Sequence, residues 1–333
     1  EGQVCYSSRC PRHYPEQLGD NSGEEGLVDN GGSGRSLDEQ ELSRFWTQYI
    51  SRDVVENVSG RERKRQQVIR DIILTECDLM QDLQYLRTHW VEPLQTGDII
   101  PPERREDFVH QVFRNIKEIS DVNSRLCELL TERQNSCSIV ETIGDIFTEM
   151  APHFHPFVQY VKHQQSDKYE IKKERSNNQS FAMFAERVER LPESRMMELS
   201  AYLNRPTERL ARYPLLLEDV LNHTHEDNTD QVAIPRVLSM LRELLDKVSR
   251  ASEEAENRSA LLQLDRELVP RRGKELDLQL KDEQRQLVYK GLLRRRGARR
   301  GFNGNLQVFL FDHALLMVKP KVINRDEKLK VFR

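Results

Sequence analysis

Val68-Ile69-Arg70-Asp71-Ile72-Ile73-Leu74-Thr75-Glu76-Cys77-Asp78-Leu79-Met80-Gln81-Asp82-Leu83 is the stretch on which the fold turns. From it to Leu94, the residues Ile69, Ile72, Ile73, Leu79, Met80, Leu83, Leu86, Trp90 and Leu94 recur at steps of three and four. That spacing turns one helix face toward other helices. Glu76 lies four after Ile72 and four before Met80, so its carboxylate projects from the same face. A carboxylate there needs a partner, because an unpaired buried charge is costly. Two readings stay open. One is an internal ion pair with an Arg or Lys of a neighbouring helix. The other is a stretch of stripe left open for another protein, whose polar groups Glu76 receives.

Outward from this stretch the helical pattern continues. Between Gly144 and Gly273 there is no glycine, which with a 3.6-residue period indicates long helices packed on one another rather than a sheet. The spacing predicts helices over 62–93, 103–133, 137–165, 178–190, 194–224 and 231–265. Pro192, Pro206 and Pro235 fall at expected helix starts, whereas Pro152, Pro156 and Pro214 should kink or restart helices. Residues 1–36 carry seven of the fifteen glycines and few aliphatics, and read as a disordered leader. A short amphipathic helix with Leu42, Phe45, Trp46, Tyr49 and Ile50 is expected next, within a lead-in over 37–65. After Pro270 the character changes. Residues 287–293 and 306–311 read as strands, and 314–318 as a third after an Asp312-His313 turn. A fourth strand is barely begun, so this second, β-rich domain is expected to be truncated.

Composition narrows the function. The chain has 333 residues, 32% charged and 37% hydrophobic, with 51 basic and 55 acidic residues and a net charge of −4. That balance argues against a nucleic-acid binder and leaves polyanion affinity to local patches. The five cysteines form no CxxC pair, which points to a reduced, intracellular protein without a disulfide framework or zinc site. No apolar run approaches the roughly 20 residues of a membrane span. There is no P-loop, HExxH or GxSxG motif, and no cofactor signature. His153 and His155 flank Phe154, but side chains at i and i+2 diverge on a helix and no Cys or acid cluster accompanies them, so no metal is expected.

Three ordered blocks carry a family likeness. Residues 68–94 resemble the first helix of Dbl-homology domains. Ile143-Gly144-Asp145-Ile146-Phe147, followed by Pro156-Phe157-Val158-Gln159-Tyr160, is similar to that family's second block. Arg205-Pro206-Thr207-Glu208-Arg209-Leu210-Ala211-Arg212-Tyr213-Pro214-Leu215-Leu216-Leu217 is similar to its third, most of all as it stands in fungal Rho-type guanine-nucleotide exchange factors. The resemblance covers 66–257, with a linker helix over 258–286 and the start of a pleckstrin-homology domain over 287–333. It implies a mainly α fold, an elongated helical bundle that grips the switch regions of a Rho-family GTPase and promotes GDP release and GTP loading. No bond is made or broken, so the chain is expected to be a regulator rather than an enzyme, working without a cofactor. The alternative is a non-catalytic GTPase-binding scaffold.

The resemblance also implies site residues. Glu76, of the Thr75-Glu76 pair, is expected to contact the switch nearest the nucleotide and promote exchange. Leu203 falls where such domains select among Rho, Rac and Cdc42. The residue after the leucine run is commonly basic and reaches the second switch, but here it is Glu218. The last long helix commonly carries an Asn after a Val, but here Val248 is followed by Ser249. Between the first two strands runs a loop with Arg294, Arg296, Arg299 and Arg300, and Lys290 precedes it. It reads either as a solvated hairpin tip or as a phosphoinositide-binding loop, consistent with a cytoplasmic protein recruited to the plasma membrane. A spectrin-type repeat would need a period near 106 residues, which is not visible, and would leave the strands unexplained.

Overall fold

The computed structural model describes residues 56–269, 277–294, 305–323 and 326–331. The leader expected over 1–36 and the amphipathic helix expected around Leu42 lie outside the described residues. Ser59 opens the first long helix, α1 (Gly60–Tyr85), its hydroxyl accepting from Glu62 N at 3.1 Å. That bond satisfies one of the amides a helix start leaves unpaired. α1 passes without a break through a π-helical stretch, Leu86–Val91, into α2 (Glu92–Thr96). The widened turns bury Leu86 and Trp90, the latter edge-on to Phe184 at 5.5 Å.

The helix expected over 103–133 is two helices, α3 (Pro102–Phe113) and α4 (Ile116–Ser136). Arg114 stands between them with φ 27°, a left-handed backbone that no helix continues through. The helix expected over 137–165 begins later than anticipated, as α5 (Gly144–Met150), a 3₁₀ turn (Ala151–Phe154) and α6 (Pro156–Asn177). Residues 137–143 stay non-helical because side chains of α1 take up their backbone groups. Gln66 Nε2 and Arg65 Nη1 donate to Val140 O, and Val140 N donates back to Gln66 Oε1. α7 (Gln179–Glu189) is capped by Asn178.

Two long helices complete the bundle, α8 (Leu199–His223) and α9 (Asp230–Glu267). α8 contains Pro206 and Pro214 and α9 contains Pro235, all inside their helices, so Pro206 and Pro235 do not mark starts and Pro214 does not end one. Two apolar clusters hold the bundle. One joins Ile69, Ile72 and Ile73 of α1 to Leu126, Phe147, Phe157, Leu210, Tyr213, Ile234 and their neighbours. The other joins Leu79, Leu83, Trp90, Phe108, Phe181, Tyr202 and Leu203.

Among the described residues five strands form one sheet: β1 (Leu268–Val269), β2 (Leu287–Arg294), β3 (Asn305–Phe311), β4 (Leu315–Ile323) and β5 (Asp326–Val331). Their order is β1-β5-β4-β3-β2, antiparallel except for β1 alongside β5. β1, too short to alternate, was not expected, and β5 is formed rather than barely begun. Leu261 and Leu264 at the end of α9 pack against Phe309, Phe311, Leu316 and Val318, which ties the last long helix to the sheet. Among the described residues no helix is long and apolar enough to cross a membrane.

Candidate interaction site

Glu76 is fully buried, and every atom that satisfies it belongs to this chain. Its Oε2 accepts from Arg209 Nε at 2.9 Å and from Tyr213 OH at 2.8 Å, and its Oε1 accepts from Asn123 Nδ2 at 2.7 Å. The third block of α8 thus supplies two partners and α4 the third. Arg209 is itself buried, and its other nitrogens donate to Thr75 Oγ1 and to Ile72 O, each at 2.8 Å. Burial alone would draw the guanidinium down, but the Glu76 carboxylate overrides it and holds Arg209 above its usual range. Burial and then the same carboxylate push the Tyr213 phenol well up. The expectation of an open carboxylate awaiting a partner is therefore corrected: Glu76 is the anionic half of an internal ion pair, fully hydrogen-bonded.

Leu203 is corrected in the same way. It is 3% exposed in the second apolar cluster, and its carbonyl oxygen accepts from Tyr160 OH at 2.7 Å and from Gln164 Nε2 at 3.2 Å. Its side chain cannot reach another protein from there.

Glu218 and Ser249 are at the surface. Glu218 Oε1 accepts from Arg242 Nη2 at 2.5 Å, a bridge from α8 to α9 with both side chains well exposed. Ser249 is exposed, seven residues after Arg242, and so on the same side of α9. The structure puts these two expected residues at the surface and leaves Glu76 and Leu203 in the interior. Lys290 is exposed on β2, its ammonium 5.6 Å from the centre of the Phe309 ring across the β2–β3 pair. Arg294 ends β2, and Arg296, Arg299 and Arg300 lie outside the described residues. His153 and His155 are both exposed, and among the described residues no three metal-ligating side chains gather.

Sequence reading missed part of the same surface. Of the three consecutive leucines, Leu217 is fully buried, Leu216 is partly buried against the core and Leu215 is 62% exposed. Successive residues on a helix point 100° apart, so three apolar residues in a row cannot all be core, and that was the available signal. Arg212, one turn before Leu215, is half-buried on α8. On α1 the carboxylate at the surface is that of Asp71, one turn before Thr75, whose hydroxyl donates to the Asp71 carbonyl at 2.5 Å. α1 and α8 run antiparallel, because Arg205 meets Asp82, Arg209 meets Glu76 and Arg61 meets Thr224. That register sets Arg212 opposite the α1 turn containing Asp71 and Thr75.

A second buried ion pair fixes the other end of α1. Arg65 is 1% exposed and donates to Asp230 Oδ2 at 2.8 Å, Thr224 Oγ1 at 3.0 Å and Glu141 O at 2.6 Å. Asp230 in turn accepts from Gly144 N at 2.8 Å, where any β-carbon would sit 2.7 Å from both Asp230 Oδ1 and Ala233. Two charged clamps therefore hold α1 against α8 and α9, leaving a flank of Asp71, Arg212, Leu215, Glu218, Arg242 and Ser249 that is rigid from below.

A RhoGEF domain model matches residues 68–249, and a pleckstrin homology domain model matches residues 287–333. The chain is 45% identical to Rho1 guanine nucleotide exchange factor 1 of Schizosaccharomyces pombe, over 99% of this chain and 25% of that protein. It is 31% identical to RHO1 GDP-GTP exchange protein 2 of Saccharomyces cerevisiae, over 99% of this chain and 24% of that one. The chain thus spans about a quarter of the length of these curated relatives. Among solved structures it is similar to the DH/PH fragment of PDZRHOGEF crystallised in complex with human RhoA. The TM-score is 0.72 at 22% identity, over 85% of this chain and 81% of that one, a likeness of fold.

Proposed function

This chain belongs to the RhoGEF domain family, and on that premise we propose that it is a guanine-nucleotide exchange factor for a Rho-type small GTPase. The observation that carries the reading is the surface flank of α1, α8 and α9, with the 62% exposed Leu215 at its middle and buried ion pairs beneath it. An exposed leucine one helical turn from Arg212 on one side and from Glu218, itself paired with Arg242, on the other has the make-up of a docking centre with a polar rim. The names of the relatives, Rho1 exchange factors, support the choice of GTPase. The role that the family likeness implied for Glu76 falls, on this reading, to the exposed carboxylate of the same helix, Asp71, which can accept hydrogen bonds from switch hydroxyls and amides.

The action is linkage rather than covalent chemistry, so the chain is a regulator that breaks and makes no bond. A flank that fits the nucleotide-free GTPase better than the loaded one must, by reciprocity, weaken nucleotide binding. GDP leaves, and the more abundant GTP takes its place. The buried clamps matter here because a soft flank would adapt to the loaded form and lose the difference. Lys290, with Arg294, Arg296, Arg299 and Arg300 in the pleckstrin homology segment, would add attraction to phosphoinositides, bringing a cytoplasmic protein to the plasma membrane.

Fluorescent-GDP release from a panel of Rho, Rac and Cdc42 proteins tests this. The chain should accelerate release from Rho-type members. Leu215→Ala should slow it about tenfold, the effect of about 1.4 kcal/mol lost at an interface centre, with an unchanged thermal midpoint. GTPase binding without any acceleration would mean a scaffold, and no binding would overturn the proposal.

A further inference from the structure

Cys77 on α1 and Cys127 on α4 face each other with their Sγ atoms 3.1 Å apart, and both are partly exposed. They stand beside the buried network without belonging to it. Cys77 follows Glu76, and Cys127 lies one helical turn after Asn123, whose amide holds Glu76. A disulfide bond is about 2.0 Å long, so the sulfurs need to close by only about 1 Å. From this juxtaposition we propose that Cys77 and Cys127 are a site of reversible two-electron oxidation by a hydroperoxide, forming an intramolecular disulfide that staples α1 to α4.

The surroundings divide the roles. The hydrogen bond from Cys127 draws the Cys77 thiol down to about 7, with help from the Thr131 hydroxyl and against burial and the Glu76 and Asp78 carboxylates. The same contact with Cys77, then burial, pushes the Cys127 thiol up. Cys77 is therefore the readier of the two to ionise, and the thiolate is the nucleophile. Its sulfur attacks the terminal oxygen of the hydroperoxide; an S–O bond forms, the O–O bond breaks, and the departing alkoxide or hydroxide takes the Cys127 proton. Cys127 Sγ then attacks Cys77 Sγ; the S–S bond forms, the S–O bond breaks, and hydroxide leaves as water with a proton from solvent. Two thiols and one hydroperoxide yield one disulfide, one alcohol (or water) and one water. Each sulfur gives up one electron and the peroxide oxygens gain both. A small-molecule thiol reverses the bond by exchange.

The experiment treats the whole chain with stoichiometric hydrogen peroxide at neutral pH, alkylates it and maps peptides without reduction. The expected product joins the Cys77 and Cys127 peptides, is lighter by the two thiol hydrogens and disappears with dithiothreitol. Cys137→Ser should retain the cross-link, and the rate of thiol loss should climb as pH rises through about 7. Oxidation should raise the thermal midpoint by several degrees in the parent and not in Cys77→Ser. In Cys127→Ser, Cys77 should stop at a sulfenic acid trapped by dimedone. Should the parent show Cys77 reduced, over-oxidised or joined to Cys137, Cys5 or Cys10, the proposal is overturned, and this readout needs no variant to fold.

Discussion

Replacing Glu76 by alanine removes the only carboxylate among the bonds of the buried Arg209. Arg209 keeps its bonds to Thr75 Oγ1 and Ile72 O and its place 4.9 Å from the Tyr213 ring centre, but loses its counter-charge. Tyr213 OH loses an acceptor, and Asn123 Nδ2 keeps only its bond to Tyr213 OH, at 2.9 Å. Breaking one side of a buried pair costs about 3–5 kcal/mol, and the helix propensity gained from Ala returns only a few tenths. For a unit of this size that is a fall of roughly 6–20 °C in thermal midpoint. Thermal unfolding followed by circular dichroism reads it directly. GDP release, corrected for folded fraction, should remain close to the parent's. Joint replacement of Glu76 by Leu and Arg209 by Met should restore most of the loss, since apolar pairs of similar volume often substitute for buried ion pairs. An unchanged midpoint together with abolished exchange in Glu76→Ala would refute this reasoning and return Glu76 to the GTPase.

Leu203→Ala should cost about 2–4 kcal/mol through the cavity it opens beside Tyr202 and Trp90, and leave the ranking of Rho, Rac and Cdc42 unchanged; a switched ranking would place Leu203 at the surface. Asp167 gives a pH dependence. Burial pushes its carboxyl up to about 7 against the pull of Arg114, 3.5 Å away, whereas the unfolded chain titrates it near its ordinary value of about 3.9. Between those values the folded form holds a proton the unfolded form has released, so its contribution is most favourable at acid pH and declines as pH rises through about 7. Asp167→Asn should therefore gain on the parent in thermal midpoint between pH 5 and 8, and parallel curves would contradict the assignment.

The helices were legible because they bury stripes, and a stripe is a local pattern. The pattern from Ile69 to Leu94 marked one continuous rod and the structure has one, its π-helical stretch included. The break at Arg114 was not legible, since a left-handed arginine has no sequence signature. Nor was the non-helical run over 137–143, whose backbone partners Arg65 and Gln66 lie more than seventy positions earlier. Glu76 was legible as a problem but not as a solution. Its position on the stripe required a partner, yet the choice between Arg209 and a foreign protein depends on where α8 lies. The family likeness tilted that choice outward, and it did the same for Leu203, which is buried in the second apolar cluster with Tyr202. Leu215 escaped notice because a leucine run reads as core, although geometry forces one member out.

The two buried ion pairs also constrain how sequences of this kind can drift. Glu76 and Arg209 are 133 positions apart, and Arg65 and Asp230 are 165 apart, so no local rearrangement of the gene alters both members together. Any single exchange that removes the charge of one member strands its partner's charge in the interior and passes through a less stable protein before the second exchange can mend it. Lineages are thus confined to keeping all four residues or crossing a valley by paired change. Surface positions such as Ser249 or Glu218 face no such barrier and are free to change one at a time. Inheritance at the clamps and novelty at the flank would let one scaffold serve successive partners without refolding.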